Sequence, residues 1–449
     1  MKNWQKAILN KGELYLVGGV VRDRLINPKI KVKDFDYLVT GIPMNELINL
    51  LRGYGKVNLV GKSFGIIKFR LKGKDTTFDI ALPREEYSLG TGHRDFKVTY
   101  DHNLDIAADL KRRDFTINAI AFDLRTSKYI DHFRAKNDIK RRIIRMIAEK
   151  SFLDDPLRIL RAVQFAGRFN FRIEKDTFQA MKKYARLIST VSSERIRDEI
   201  EKLLTKSDKP SIGLKIMSDS GILDLILPEL AAGRGVEQNI YHKYDVMLHN
   251  FYACDAAPKG NLKIRLAALL HDIGKVEKKR IIESGAGVKK VVFYNHEVES
   301  ERLSKIILRR LRFSEDIVKK ASNLIAAHMF EYSGEWTDSA VRRFMQRVGT
   351  DNIPDLLLLR KADRIANNKY GINKNLKELK KRIEKEIKKQ SSLNVADLKV
   401  NGKDVMRVLN IPPGRQIGEL LNRIMDSVIE NPKLNKRTIL LEKIKEFGE

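Results

Sequence analysis

Cysteine is almost absent. Cys254 is the one thiol in the chain, so no disulfide can close within it. It lies among apolar, helix-forming residues and reads as a buried structural thiol. Long apolar runs are missing too. No stretch approaches the roughly 20 residues needed to cross a bilayer, and the opening MKNWQKAILNKGELYLV holds no apolar signal core. A cytoplasmic protein with no membrane partner is expected. Internal repeats and long low-complexity segments are likewise lacking. The scarcer charge is acid: 58 Asp+Glu face 87 Lys+Arg, a net +29. Each base that neutralises a phosphate releases a condensed counterion, so this excess points to a polyanionic partner such as nucleic acid.

What the chain does hold is apolar material for packed interiors, 43% hydrophobic and 8% aromatic over 449 residues, enough for three or more modules. Residues 12 to about 135 read as α/β. Glu13–Val17, Val57–Val60 and Ile66–Leu71 look like strands separated by Gly-containing turns. Beyond about residue 138 apolar residues recur three and four apart, which predicts helices over Asp138–Lys150, Pro156–Phe169, Ser192–Leu204 and Ser211–Leu223. Pro210 and the Pro228–Gly235 stretch suit boundaries. Residues 236–370 hold five of the eight histidines, and residues 371–449 are again basic and helical.

The most informative run is Leu16-Val-Gly-Gly-Val-Val-Arg-Asp23, followed by Lys33-Asp-Phe-Asp-Tyr-Leu-Val39. A strand ending in Gly18-Gly19 and leading into a helix lets backbone amides approach a phosphate, helped by the helix dipole. Arg22, one turn in, suits a triphosphate or the organisation of nearby carboxylates. Asp34 and Asp36 are two apart, so on a strand both face one side. Paired carboxylates hold two Mg²⁺ ions, which activate an attacking hydroxyl and neutralise a leaving pyrophosphate. Asp79, in the strand-like Thr77-Phe-Asp-Ile80, supplies a third acid for the metals or for deprotonation.

Gly18-Gly19-Val-Val-Arg22-Asp23 with Asp34-x-Asp36 resembles the signature of class II tRNA nucleotidyltransferases and bacterial poly(A) polymerases, of the polymerase β-like superfamily. The likeness continues through Arg112-Arg-Asp-Phe-Thr-Ile-Asn-Ala119 and Asp154-Asp-Pro-Leu-Arg-Ile-Leu-Arg-Ala162. It implies an α+β chain: a nucleotidyltransferase head with a mixed sheet (1–137), an all-α neck (138–235), an HD-type helical body (236–370) and a helical tail (371–449). It implies a ribose-selecting role for Arg113 and Asp114, and base reading by Asp155 and Arg158. Asp155, Arg158 and Arg161 share one helical face, and Asp155 before Pro156 also has the form of an N-cap. Gln164 departs from the pattern, because relatives often carry Arg there. The glycine-rich segment Leu82–Val98 reads as a mobile loop, and in the family the corresponding loop supports the switch from CTP to ATP.

Leu270-His-Asp-Ile-Gly-Lys275 resembles the HD phosphohydrolase motif. The expected ligands of one divalent metal (Mg²⁺, Mn²⁺ or Ni²⁺) are His249, His271, Asp272 and Asp363, with Lys275 meeting a phosphate. His296 and His328 sit where some members place ligands of a second metal, and are read as ordinary core or surface histidines. His242 is read as structural. Asn401-Gly-Lys-Asp-Val-Met406 and Asn410-Ile-Pro-Pro-Gly-Arg-Gln-Ile-Gly418 recur in tails of HD-containing relatives and are expected to touch the tRNA backbone.

The resemblance therefore implies addition or repair of the CCA 3′ end of tRNA from CTP and ATP. The enzyme would contact the acceptor stem and upper half of tRNA, with a phosphatase or 2′,3′-cyclic phosphodiesterase as a second activity. Partial enzymes adding only A or only CC, a poly(A) polymerase, and an HD phosphohydrolase with a regulatory nucleotide-binding domain are the alternatives. Monomer and homodimer stay open.

Overall fold

The computed structural model describes residues 1–30, 35–60, 65–88, 96–238, 243–283, 289–367, 374–389 and 394–448. Asp34, residues 89–95 of the glycine-rich segment and His242 lie outside them. The chain folds as two compact units, parting at Ala231/Ala232, with Arg310–Arg312 belonging to the first.

In the first unit, β1 (Glu13–Val17), β2 (Asp36–Thr40), β3 (Gly55–Val60), β4 (Ile66–Leu71), β5 (Thr77–Ala81), β8 (Ala121–Asp123) and β9 (Tyr129–Ile130) form one mixed sheet. Its order is β3-β4-β5-β2-β1-β8-β9, and a separate hairpin pairs β6 (Arg84–Ser88) with β7 (Phe96–Tyr100). Only β2 and β5 run parallel within the large sheet. Strand alternation decides which residues face the core: Ile67 and Phe69 of β4 and Phe78 and Ile80 of β5 are buried, while Lys68 and Asp79 point the other way. Trp4, on α1 (Asn3–Leu9), packs edge-on against Tyr37 and Phe69 at 5.3 and 5.4 Å and so closes this core.

The helix α2 (Gly19–Ile26) leaves β1 through Gly18, whose φ of +71° and ψ of −136° suit glycine alone. Further on are α3 (Met44–Arg52), α4 (Ile106–Lys111) and α5 (Ala135–Arg141). The helix expected over Asp138–Lys150 stops at Arg141. Arg142 turns left-handed, and the β-branched Ile143-Ile144 pairs in parallel with Arg172-Ile173. The helix expected over Pro156–Phe169 is present as α6 (Leu157–Phe169), and it lies against α7 (Ser193–Lys206). Gly167 permits this approach, since a Cβ there would stand 2.5 Å from Leu203 Cδ1. The helix expected to Leu223 breaks at Gly221, with φ +77°, giving Ser211–Asp219 and Ile222–Ile226.

The second unit is mainly helical. Val246–Ala256, Leu262–Leu270, Glu315–Ala327 and Ile353–Ala366 pack together, and a hairpin pairs Arg280–Glu283 with Lys289–Val292. The tail has its own apolar cluster, including Val405, Ile424, Val428, Leu440 and Ile444. Among the described residues no helix is long and apolar enough to cross a membrane.

Candidate active sites

A cleft of about 550 Å³ in the first unit is lined by Gly18, Gly19, Arg22, Asp36, Arg112, Arg113, Asp114, Asn118, Asp155, Arg158, Arg161, Gln164, Arg168, Arg195, Glu199 and Lys202, among others. Eight of its lining side chains are basic and four acidic, the balance expected of a triphosphate site. Asp36 opens β2 and pairs in register with Asp79 of β5, which in turn pairs with Lys68 of β4, so the three side chains form a row across the sheet. At Gly18 any side chain would fall between Arg113 Nη1 (3.0 Å) and Asp36 Oδ2 (3.7 Å).

The basic residues are held from behind. Asp109, fully buried on α4, takes Arg112 Nε on one oxygen (3.0 Å) and Arg113 Nη2 on the other (2.8 Å). Burial opposes its charge, but the Arg113 and Arg112 guanidiniums outweigh it and hold the carboxyl below its ordinary value. Asp114 does not pair with Arg113. Its Oδ1 accepts from the Phe115 amide and Asn118 Nδ2, both at 2.8 Å, and its Oδ2 from Arg161 Nε (2.8 Å) and Nη2 (2.7 Å). Those four bonds fill the carboxylate, which Arg161 and Asn118 keep ionised against burial. Arg22 is likewise engaged. Its guanidinium donates to Asp23 and Asn118 and stacks on Phe165 and Phe169, 5.0 and 4.7 Å from the ring centres. Asp155 serves two ends at once: Oδ1 accepts from the Leu157 amide at the start of α6, and Oδ2 pairs with Arg195 at 2.9 Å. Arg158 Nη2 donates to the Arg112 carbonyl at 3.0 Å.

A second centre lies in the other unit. His249, His271 and Asp272 bring ligand atoms within 4.8 Å of one another, and so do Asp272, His296 and His328. Asp272 joins the two groups. Its Oδ2 lies 3.4 and 3.3 Å from Nε2 of His249 and His271, and its Oδ1 3.2 and 3.6 Å from Nε2 of His296 and His328. Asp363 Oδ1 is 3.2 Å from His249 Nε2. Nδ1 of His271, His296 and His328 each faces a backbone carbonyl, of Ala268, Phe293 and Ile325, at 2.9, 2.8 and 2.6 Å. A carbonyl only accepts, so Nδ1 carries a proton, and the neutral tautomer that metal binding requires would turn an Nε2 lone pair inward. Lone pairs of nitrogen and carboxylate then converge without hydrogen bonds at His296 and His328, an arrangement that a cation relieves. This donor set fits divalent metal. Burial opposes charge on Asp272 and Asp363, but His271 and Lys275 at Asp272, and His249 and His271 at Asp363, keep both carboxyls well below their usual range. Lys275 Nζ is bonded to Asp272 at 2.6 Å and to Gln238 at 2.7 Å.

Residues 14–145 match the family model for the poly A polymerase head domain, 170–233 that for the "Probable RNA and SrmB-binding site of polymerase A", and 290–444 that for tRNA nucleotidyltransferase domain 2. The A-adding tRNA nucleotidyltransferase of Deinococcus radiodurans is 34% identical over 334 residues, 71% of this chain and 74% of that protein. The chain belongs to the tRNA nucleotidyltransferase family. A multifunctional CCA protein of Stenotrophomonas maltophilia is 36% identical over 273 residues, which are 59% of this chain and 64% of that protein. The chain thus spans less than two thirds of that relative. Among solved structures, the Bacillus stearothermophilus CCA-adding enzyme in complex with CTP superposes with a TM-score of 0.70 at 23% identity, covering 100% of this chain and 98% of that one. That likeness concerns the fold, and it agrees with the α+β class expected from sequence.

As a family member the chain is a nucleotidyltransferase, and the family implies a divalent metal, typically Mg²⁺. Two carboxylates in register, offering hard oxygen donors beside the cleft, suit such an ion. Sequence reading singled out neither Asp109, Asn118, Arg195, Glu199 nor Lys202. Arg195, Glu199 and Lys202 carried a usable signal, the i, i+4, i+7 spacing of one helical face. Asp109 carried none, since only its burial beneath two arginines marks it. His296 and His328, expected as core or surface histidines, are buried, and both converge on Asp272, which spacings of 24 and 56 residues from Asp272 do not announce.

Proposed function

We propose that this nucleotidyltransferase builds the 3′ end of tRNA without a template, adding C and A residues from CTP and ATP in the cytoplasm. The 3′-hydroxyl of the tRNA attacks the α-phosphorus, a new P–O bond forms, the α–β bridge breaks, and pyrophosphate leaves. The observation that carries this reading is the in-register pair Asp36 and Asp79 beside a cleft with eight basic side chains. Asp34 and Asp36 would hold Mg²⁺, which when bound lowers the pKa of the hydroxyl and screens the leaving group. Asp79 accepts the hydroxyl proton or completes the metal cradle. Gly18 and Gly19 admit the phosphates, and Arg113 meets the sugar and phosphate. Asp114 and Arg22 act as positioning residues, fixing Arg161, Asn118 and the start of α2. Asp155 and Arg158 read the Watson–Crick edge of the incoming base. In this reading 1–137 forms the head, 138–235 the neck, 236–370 the HD body and 371–449 the tail that follows the tRNA backbone.

Addition of A alone is the second reading, favoured by the 74% of the A-adding relative that the chain spans, against 64% of the multifunctional CCA protein. Primers ending in the discriminator base, in C and in CC, offered CTP, ATP or both and then sequenced, separate the two. Products ending at CCA on all three primers support full addition. Extension of the CC primer alone means A addition, and a long A tract refutes both.

The Asp272 centre is read as a phosphohydrolase: His249, His271, Asp272 and Asp363, with His296 and His328 on the other side of Asp272, would hold divalent metal, which would polarise a phosphate and activate water. It would clear a 2′,3′-cyclic or 3′-phosphate from damaged tRNA. Water adds to phosphorus while one ribose P–O bond breaks and that oxygen takes a proton. His271→Ala should abolish phosphate release and leave nucleotide addition unchanged; loss of neither activity refutes the reading.

A further inference from the structure

The Asp272 centre opens into a cleft of about 440 Å³, a size suited to one nucleotide. Two of its basic residues are already committed, Lys275 to Asp272 and Gln238, and Arg360 to Asp363 at 2.7 Å. Lys290 and Arg364 also line the cleft, and neither has an acidic partner among the described residues. The Arg364 Nε is buried there without a hydrogen bond. The positive charge thus exceeds what the metal-ligating carboxylates require, which is the provision expected for a bound phosphate.

Two large side chains are exposed at the mouth. Tyr294 is 65% exposed and Met329 51% exposed, and both line the same cleft. Single exposed apolar residues are ordinary, but these two are tied to the centre. Met329 directly follows His328. Tyr294 stands two residues before His296 in a turn closed by left-handed Asn295 (φ +59°) and by the bond between His296 Nδ1 and the Phe293 carbonyl. The backbone of Tyr294 is thus already ordered, so a flat partner stacking on it restricts only the exposed side chain.

We propose that this mouth recognises the terminal nucleotide of an RNA bearing phosphate on its ribose. Its base lies on Tyr294 against Met329, and its phosphate is drawn by Lys290 and Arg364 toward Asp272. The inference rests on the phosphohydrolase reading of the centre and adds how its substrate is recognised: through the base as well as the phosphate.

The test compares hydrolysis of 2′,3′-cyclic AMP with that of glycerol 1,2-cyclic phosphate, which lacks a base, using the full-length protein with Mn²⁺. Tyr294→Ala should raise KM for the nucleotide about tenfold, the scale of one base–aromatic stack, with kcat and the base-free substrate unchanged. Tyr294→Phe should keep the wild-type KM, while Lys290→Ala should raise KM for both substrates. A calorimetric titration of metal-free protein with 3′-AMP gives a second readout, in which Tyr294→Ala weakens binding by the same factor. If wild type hydrolyses neither substrate yet Tyr294→Ala still weakens 3′-AMP binding, the phosphohydrolase reading falls and the nucleotide mouth stands. Equal wild-type KM values for the two substrates, or a Tyr294→Ala protein within twofold of wild type in both readouts, overturn the proposal.

Discussion

Asp109→Asn tests how the nucleotide cleft is built. One buried carboxylate receives two guanidiniums, through Arg112 Nε at 3.0 Å and through Arg113 Nη2 and Nε at 2.8 and 3.2 Å. The amide keeps the shape but removes the charge, and its NH₂ faces a guanidinium with donor against donor. Breaking a buried ion pair costs roughly 3–5 kcal/mol. Arg112 and Arg113 keep 24% and 18% side-chain exposure, so water recovers part of this and about 2–3 kcal/mol is the fair expectation. At roughly 2–4 °C per kcal/mol for a unit of this size, calorimetry should place the first unit's transition about 4–12 °C lower. Arg113, released from Asp109, no longer lies fixed beside Gly18. If about 1.4 kcal/mol of the loss falls on nucleotide binding, KM for CTP rises about tenfold. Asp105→Ala is the control: it removes the N-cap of α4, whose side chain accepts from Ala107 at 3.1 Å, at about 1 kcal/mol, and touches neither arginine. An Asp109→Asn protein that melts within 1 °C of wild type with unchanged KM refutes the reasoning. So does an Asp105→Ala protein that reproduces the KM effect.

Gly18→Ala forces φ +71° on a residue with a Cβ and sets that atom 3.0 Å from Arg113 Nη1; strain of about 1–3 kcal/mol should lower kcat/KM for nucleotide addition about fivefold or more, and a value within twofold of wild type would count against the cradle. Gly274→Ala places a Cβ 2.5 Å from the His296 carbonyl and 2.6 Å from the Ser300 amide, so His296 must leave Asp272. Saturating Mn²⁺ (~100 Kd) should add about 2.7 kcal/mol to the stability of wild type, seen as a raised melting temperature that Gly274→Ala largely loses. Asp109 and Asp114 titrate below the ordinary value of 3.8 in the folded protein. Their stabilisation is therefore complete above that value and is lost as pH falls through the lower folded values. Circular dichroism should show the first unit unfolding below about pH 4, with a shallower acid limb in Asp109→Asn.

Much of this protein was legible in its residues. Local order carried the strands at Glu13–Val17 and Ile66–Leu71 and the helix from Leu157, because two-residue and three-to-four-residue apolar periods are properties of adjacent positions. Motif order carried Gly18, Asp36, Asp155 and the His271-Asp272 pair. Tertiary structure alone decided what these residues touch. Asp114 turned from Arg113 to Arg161 because α6 packs a guanidinium against it, and Arg113 found its acid at Asp109, four residues back on a helix that no motif marks. The helix expected to reach Lys150 yielded to a strand pairing with Arg172-Ile173, a partner almost thirty residues on. Asp272 became the bridge between two histidine pairs, because only folding brings His296 and His328 to one carboxylate oxygen. The sequence by itself determined which chemical groups exist and their local periods; the fold decided which of them meet, since contacts between distant segments depend on packing that no local pattern encodes.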